Sequence, residues 1–147
     1  MSLRSLFLSV AVTAVLSVVA CAPGGGPAVD APQAFALSQA GRLTLIDIRR
    51  PEEWRETGVA AGALRINMAH PQGAAGFIAQ VEAELRGNRN APIGLIGRSA
   101  SRSTRAQQML IDAGFTHVYN IREGMVGSSA GPGWIARGLP VDSCRNC

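Results

Sequence analysis

One stretch constrains this chain more than any other: between Pro92 and Gly114 an apolar run, a short break and a helix-period segment follow one another without a gap. Ile93, Leu95 and Ile96 read as a buried strand, and Gly97 to Arg102 interrupt it with small and charged residues. Ser103 is the expected cap of a helix whose inward face is Ala106, Met109, Leu110 and Ala113, with Gly114 as its stop. A tight loop between a strand and a helix N-terminus gathers several backbone N–H groups at the positive end of a helix dipole. That is the physics of an anion cradle.

The remaining chain alternates in the same way. Ala34 to Ala40 reads as a short helix stopped by Gly41, and Leu43 to Ile48 as a strand that ends on Asp47 and Ile48. Pro51 at a first helical position, with Glu52 and Glu53 behind it, opens a second helix that Gly58 closes, and Trp54 is its expected anchor in the core. Val59 to Met68 is small and apolar and predicts a packed turn into a strand near Ala63 to Asn67. Phe77, Ile78, Val81 and Leu85 recur at helical spacing before Gly87. After the central unit come a strand over His117 to Ile121, a Gly and Ser-rich loop over Gly124 to Gly133, a helical turn from Trp134 to Arg137 and an extended closing segment from Leu139 to Val141. Short strands alternating with helices predict an α/β domain: a central, mainly parallel sheet with helices on both faces. Sites in such folds lie at the carboxyl ends of strands, which returns the argument to Gly97 to Arg102.

Domain organisation follows from the ends. Residues 1–21 carry Arg4, an apolar run from Leu6 to Ala20 and small residues around Cys21, the pattern of a secretory signal. Val18, Val19 and Ala20 before Cys21 also resemble a bacterial lipobox, so Cys21 is the expected lipidation site; cleavage after Ala22 is the rival. The expected product is an exported, periplasmic, membrane-anchored lipoprotein. Residues 22–32, rich in Gly, Pro and Ala, are the expected flexible tether, 33–142 the folded domain and 143–147 a tail. All 14 basic residues are Arg, which suits bidentate oxyanion contacts but follows equally from an Arg-rich codon usage. The net charge of +4 comes with no basic stripe interleaved with aromatics, so nucleic acid is not an expected partner.

Three blocks together resemble the rhodanese-like, or sulfurtransferase, domain family, from about Ala34 to Val141. Leu45-Ile46-Asp47-Ile48-Arg49-Arg50-Pro51-Glu52-Glu53-Trp54 is similar to the family's first strand and its D-V-R-x-x-x-E-aromatic signature. Gly58 to Leu64 resembles its G-H-I-P-G-A-I turn, with Val59, Ala60 and Ala61 at the His, Ile and Pro positions. Ile93 to Gly114, with Val118 to Ile121, resembles its active-site strand, loop, helix and following strand. The resemblance implies a loop that opens with a persulfide-bearing cysteine, followed after four residues by an arginine. Here the spacing persists as Gly97-Arg98-Ser99-Ala100-Ser101-Arg102, with glycine at the cysteine position. Sulfur transfer needs a nucleophilic thiolate there, and neither Ser99 nor Ser101 has a base to replace it.

What remains is a cradle without its nucleophile, formed by Gly97, Arg98, Ser99, Ala100, Ser101, Arg102 and Ser103. Its expected ligand is a small anion (a sulfur oxyanion, phosphate or carboxylate) or a protein partner. In the alternative, Arg102 satisfies loop carbonyls and a nearby carboxylate while Arg98 and Arg105 are solvated. The resemblance implies structural roles for Asp47, Arg49 and Glu53. The Gly124 to Gly133 loop is a lid, a partner surface or a plain insertion. His70 and His117 lack the partners a metal site needs, and neither a metal nor a cofactor is expected. Cys144 and Cys147 form a C-x-x-C pair that either closes a small disulfide ring, carries redox or sulfur-accepting chemistry, or captures a metal. They are the only candidate catalytic thiols once Cys21 is lipidated.

Overall fold

Burial on both faces explains the unbroken apolar runs in the strands. The structure, a computed structural model, describes residues 26–147. The elements are α1 (Ala31–Gln39), β1 (Thr44–Asp47), α2 (Pro51–Thr57), β2 (Val59–Ala60), β3 (Leu64–Arg65), α3 (Gly73–Glu84), β4 (Ile93–Ile96), α4 (Ala100–Asp112), β5 (Val118–Ile121) and β6 (Val141–Asp142). Four strands form an all-parallel sheet in the order β3-β1-β4-β5, while β2 and β6 pair antiparallel beside it. Asp47 registers with both Arg65 and Ile96, and Ile96 with Ile121, so the carboxyl ends of all four strands share one edge.

Alternation along the strands divides the core in two. Ile46 and Leu95 face α3 and α4, where they meet Phe77, Val81, Ala106 and Leu110. Leu45, Ile96 and Ile121 face the other way, onto Ala31 and Ala34 of α1 and onto Met125 and Trp134 from the segment after β5. Trp134 is fully buried, stands edge-on to Phe35 with ring centroids 5.7 Å apart, and donates its indole N–H to the Pro140 carbonyl. The expected sheet with helices on both faces is therefore present.

Two expectations change at the amino-terminal side. Helix α1 starts at Ala31, because the Asp30 carboxylate accepts the Gln33 N–H at 2.8 Å and so caps a turn the apolar pattern alone did not reveal. The stretch expected to be tether is docked from Pro27 onward: Val29 N–H donates to the Asn120 carbonyl, Asn120 N–H to Pro27, and the Gln107 amide to Pro27 at 2.7 Å. The open edge of β5 needs backbone partners, and Val29 and Ala31 are buried, so a Gly and Pro-rich composition does not leave this piece free. The expected signal and Cys21 lie outside the described residues. Among those described, no helix is long and apolar enough to cross a membrane.

Candidate functional site

The site begins where β4 ends. Gly97 is buried, Arg98 is exposed and Ser99 is extended (φ −139°, ψ −169°) at the N-cap position of α4. The expected loop of six residues is thus much shorter, since Ala100, Ser101 and Arg102 already lie in the first helical turn. Ser103 does not cap the helix. It is buried inside it and turns its hydroxyl back to the Ala100 carbonyl at 3.1 Å. Ser99, Ser101 and Ser103 all have cap chemistry. Ser99 takes the N-cap position without a side-chain capping hydrogen bond, and tertiary contacts hold the loop there: Met125 N–H donates to the Gly97 carbonyl at 2.9 Å and Val126 N–H to the Arg98 carbonyl at 3.1 Å. Gly124 makes this closure sterically possible: its φ is +65°, and a Cβ there would stand 2.5 Å from the Arg98 oxygen. The Gly124–Met125 end of the Gly124 to Gly133 segment is therefore packed behind the loop, and its exposed tip is closed by a Ser128–Gly131 bridge.

Gly97 marks the position a nucleophile would occupy. A Cβ built on it would lie 3.1 Å from the Ser99 carbonyl oxygen, 3.5 Å from the Ser103 nitrogen and 3.6 Å from the Arg102 Cβ. The direction points between the loop and the first turn of α4, and Gly97 is not among the glycines with positive φ. The backbone angles therefore do not require glycine here, although any side chain presses its Cβ against the Ser99 carbonyl.

Charge around the loop is partly cancelled. Arg102 makes a bidentate pair with Glu53, at 2.7 Å and 2.6 Å, which is the carboxylate contact of the alternative reading rather than a free anion clamp. Glu53 also accepts the Arg50 N–H at 3.0 Å. Hydrogen bonding to Arg102 is the main cause that lowers the Glu53 carboxyl from 4.5 to about 2; burial opposes it, and the Arg50 N–H and the charges of Arg102 and Arg49 assist. A carboxyl lowered on folding binds fewer protons in the native state, so its stabilisation is complete above pH 4.5 and is lost as the pH falls toward 2. Urea unfolding at pH 7, 5 and 3 is expected to show the wild type losing about 0.5–1.5 kcal/mol more than Glu53→Gln over that window, after allowance for solvent screening of the pair. Parallel losses in the two proteins would count against it. Arg98 has no carboxylate within 4 Å among the described residues.

Asp47 and Arg49 are structural here. Both are buried, with Arg49 Nη2 2.6 Å from the Asp47 carboxylate. Arg49 continues to the Thr57 hydroxyl and the Gly58 carbonyl, both at 2.7 Å, which ties the end of β1 to the end of α2. That tie holds Glu53 opposite Arg102.

The tail lies elsewhere. Cys144 and Cys147 are disulfide-bonded, with their Cα atoms 5.4 Å apart. The Arg65 guanidinium stands 2.6 Å from the Cys144 sulfur and 3.0 Å from that of Cys147, while Arg55 reaches the Cys147 carbonyl oxygen. Arg55 and Glu53 are two residues apart, about 200° round a helix, so the disulfide and the Gly97 loop meet opposite faces of α2. The structure does not bring the two sets of expected residues together. The His70 Nδ1 accepts the Gln72 N–H, His117 lies against the Thr116 hydroxyl, and no three metal-binding side chains converge among the described residues. Sequence reasoning missed Gly124, whose only signal was one glycine among many, and it missed a cavity of about 320 Å³ beside the loop.

Comparison with known proteins agrees with this geometry. None of the curated proteins compared with the chain matches it. The crystal structure of Rv0390 from M. tuberculosis is 29% identical, with 82% of this chain and 100% of that chain covered and a TM-score of 0.63. The rhodanese-like domain of an Anabaena protein is 20% identical over 82% of this chain and 81% of that one, with a TM-score of 0.62. The thiosulfate sulfurtransferase from Pseudomonas aeruginosa is 23% identical over 79% of this chain but only 20% of its own, with a TM-score of 0.61. A family model described as the rhodanese-like domain matches residues 30–130, which includes β1, the Asp47–Arg49 tie, β4 and the loop into α4, and the chain belongs to that family.

Proposed function

We propose that this protein is a rhodanese-like recognition module that does not transfer sulfur through its loop. The observation that carries the reading is Gly97, a residue without a side chain at the head of an otherwise well-fixed loop. In thiosulfate chemistry a thiolate attacks the sulfane sulfur, sulfite leaves, and the sulfur stays on the enzyme as a persulfide until an acceptor thiolate or cyanide removes it. Gly97 supplies no atom for the first bond. The ligand is an anion, a sulfur oxyanion or phosphate, or a protein partner that presents one. The reading includes export and a lipid on Cys21, supported by the apolar run before it and checked by fatty-acid labelling, which Cys21→Ser should abolish.

One assay separates this from sulfur chemistry in the tail, which the Arg65 guanidinium against both sulfurs favours by stabilising a thiolate after reduction. The full-length protein, its Cys144→Ser/Cys147→Ser variant and Gly97→Cys are reduced, freed of the reductant and incubated with thiosulfate, with cyanide present for turnover and omitted for mass spectrometry. The wild type and the double serine variant are expected to show no turnover. Gly97→Cys is expected to gain one sulfur by mass spectrometry, since only the Ser99 carbonyl, at 3.1 Å, must yield slightly to admit its Cβ. Turnover that the double serine variant loses would favour the tail; turnover that it retains would end the proposal.

A further inference from the structure

The cavity beside the loop holds unused chemistry. Arg102, Arg105 and Met109 fall at i, i+3 and i+7 on α4 and line one wall of it. Arg50, from the turn into α2, and His70, from the segment before α3, line other walls, and Met68 adds apolar surface. No acidic side chain lines the cavity. Arg102 is already paired with Glu53, but neither Arg50 nor Arg105 has a carboxylate within 4 Å among the described residues. The two oxygens of Glu53 are occupied by Arg102, with Arg50 N–H sharing one of them. Two positive charges therefore remain uncompensated around an apolar floor.

The walls are held in place. The His70 Nδ1 accepts the Gln72 N–H at 3.1 Å, which leaves Nε2 as the donor of the neutral ring. The ring rests on Gly76, where a Cβ would overlap it. The backbone of Arg50 is fixed by its own N–H on Glu53, and that of Arg105 by one turn of helix beyond the Glu53–Arg102 pair, while both side chains are exposed and free to close on a ligand. A cavity of about 320 Å³ is the size of a small organic ligand and larger than a bare oxyanion requires. Sulfate or phosphate would satisfy the guanidinium groups and leave Met68 and Met109 wet.

Building on the reading of the domain as a recognition module, we infer that this cavity binds a small organic anion. Its carboxylate, sulfonate or phosphate head meets Arg50 and Arg105, and its apolar body lies on Met68 and Met109. The site adjoins the loop through Arg102, but neither Gly97 nor Arg98 lines it, and Arg98 stands on the flank toward Glu56 and Val126.

Calorimetric titration of the full-length protein in a non-ionic detergent tests it, with inorganic sulfate, methanesulfonate and butanesulfonate as probes. Affinity is expected to rise from methanesulfonate to butanesulfonate, by roughly fourfold for each methylene that is buried, with dianionic sulfate as the bare-head-group reference. Arg50→Gln with Arg105→Gln is expected to weaken butanesulfonate by about tenfold or more, while Arg42→Gln on the exposed surface changes nothing. Met109→Ser should flatten the chain-length dependence yet keep the head-group affinity, a result that general misfolding cannot produce. Equal affinity for methanesulfonate and butanesulfonate overturns the inference. Binding that Arg98→Gln abolishes and the Arg50 and Arg105 pair leaves intact also overturns it, while keeping the domain a recognition module with its site at the loop. If no probe binds at all, this inference and small-anion recognition fail together.

Discussion

Arg49→Met is expected to lose about 3–5 kcal/mol of unfolding free energy, a large share of the total for a domain of this size. Both members of the Asp47–Arg49 pair are buried, and the one Arg49 side chain hydrogen-bonds to Asp47, Thr57 and Gly58. Its removal leaves the Asp47 carboxylate with the backbone N–H of residue 49 as its remaining donor, at 3.1 Å. An uncompensated buried charge costs far more than the pair contributes, because its hydration is lost in the native state and nothing replaces it. Asp47→Leu combined with Arg49→Met should accordingly be more stable than Arg49→Met alone. Urea denaturation of the three proteins measures this directly. A single variant within about 1 kcal/mol of the wild type would show that water reaches the carboxylate.

The second large effect is expected from Gly124→Val, at about 2–5 kcal/mol, from adding the strain of a left-handed backbone to an overpacked contact. Residue 124 has φ +65°, and its Cβ would lie 2.5 Å from the Arg98 oxygen and 2.8 Å from the Ser99 Cα. Those neighbours are backbone atoms, so no side-chain rotation relieves the clash. The loop must leave its wall, and the Met125 and Val126 amides lose their acceptors at Gly97 and Arg98. Hydrogen exchange is the informative readout: both amides should lose protection while those of β1 and β4 keep theirs. Unchanged protection at Met125 and Val126 would refute the account of the loop as pinned from behind.

These two residues differ in how far sequence reaches. Asp47, Arg49 and Glu53 stand close together in the chain, next to a strand that reads clearly, and their structural role was legible from the signature they resemble. Gly124 was not, because its partner is 26 residues away and its neighbours are also small. The same distinction holds at the loop. Pro92 to Gly114 announces a strand and a helix, but which of Ser99, Ser101 and Ser103 begins the helix depends on Met125 and Val126 holding the loop. Arg102 reads as an anion clamp until the fold sets Glu53 against it, 49 residues away. Pro27 to Val29 reads as tether until the open edge of β5 is there to receive it.

By itself the sequence determined the alternation of strands and helices, the parallel sheet they require, the place of the loop at its carboxyl edge, and the absence of a thiol at Gly97. Those follow from periodicity, turn residues and side-chain chemistry, which act over a few neighbouring residues. Only the tertiary structure decided that Arg102 is neutralised, that the Cys144–Cys147 ring lies across α2 from the loop, and that Arg50 and Arg105 converge on one cavity with His70 and two methionines. Ion pairing and cavity shape depend on distances between residues far apart in the chain, and those distances exist only after packing has set them.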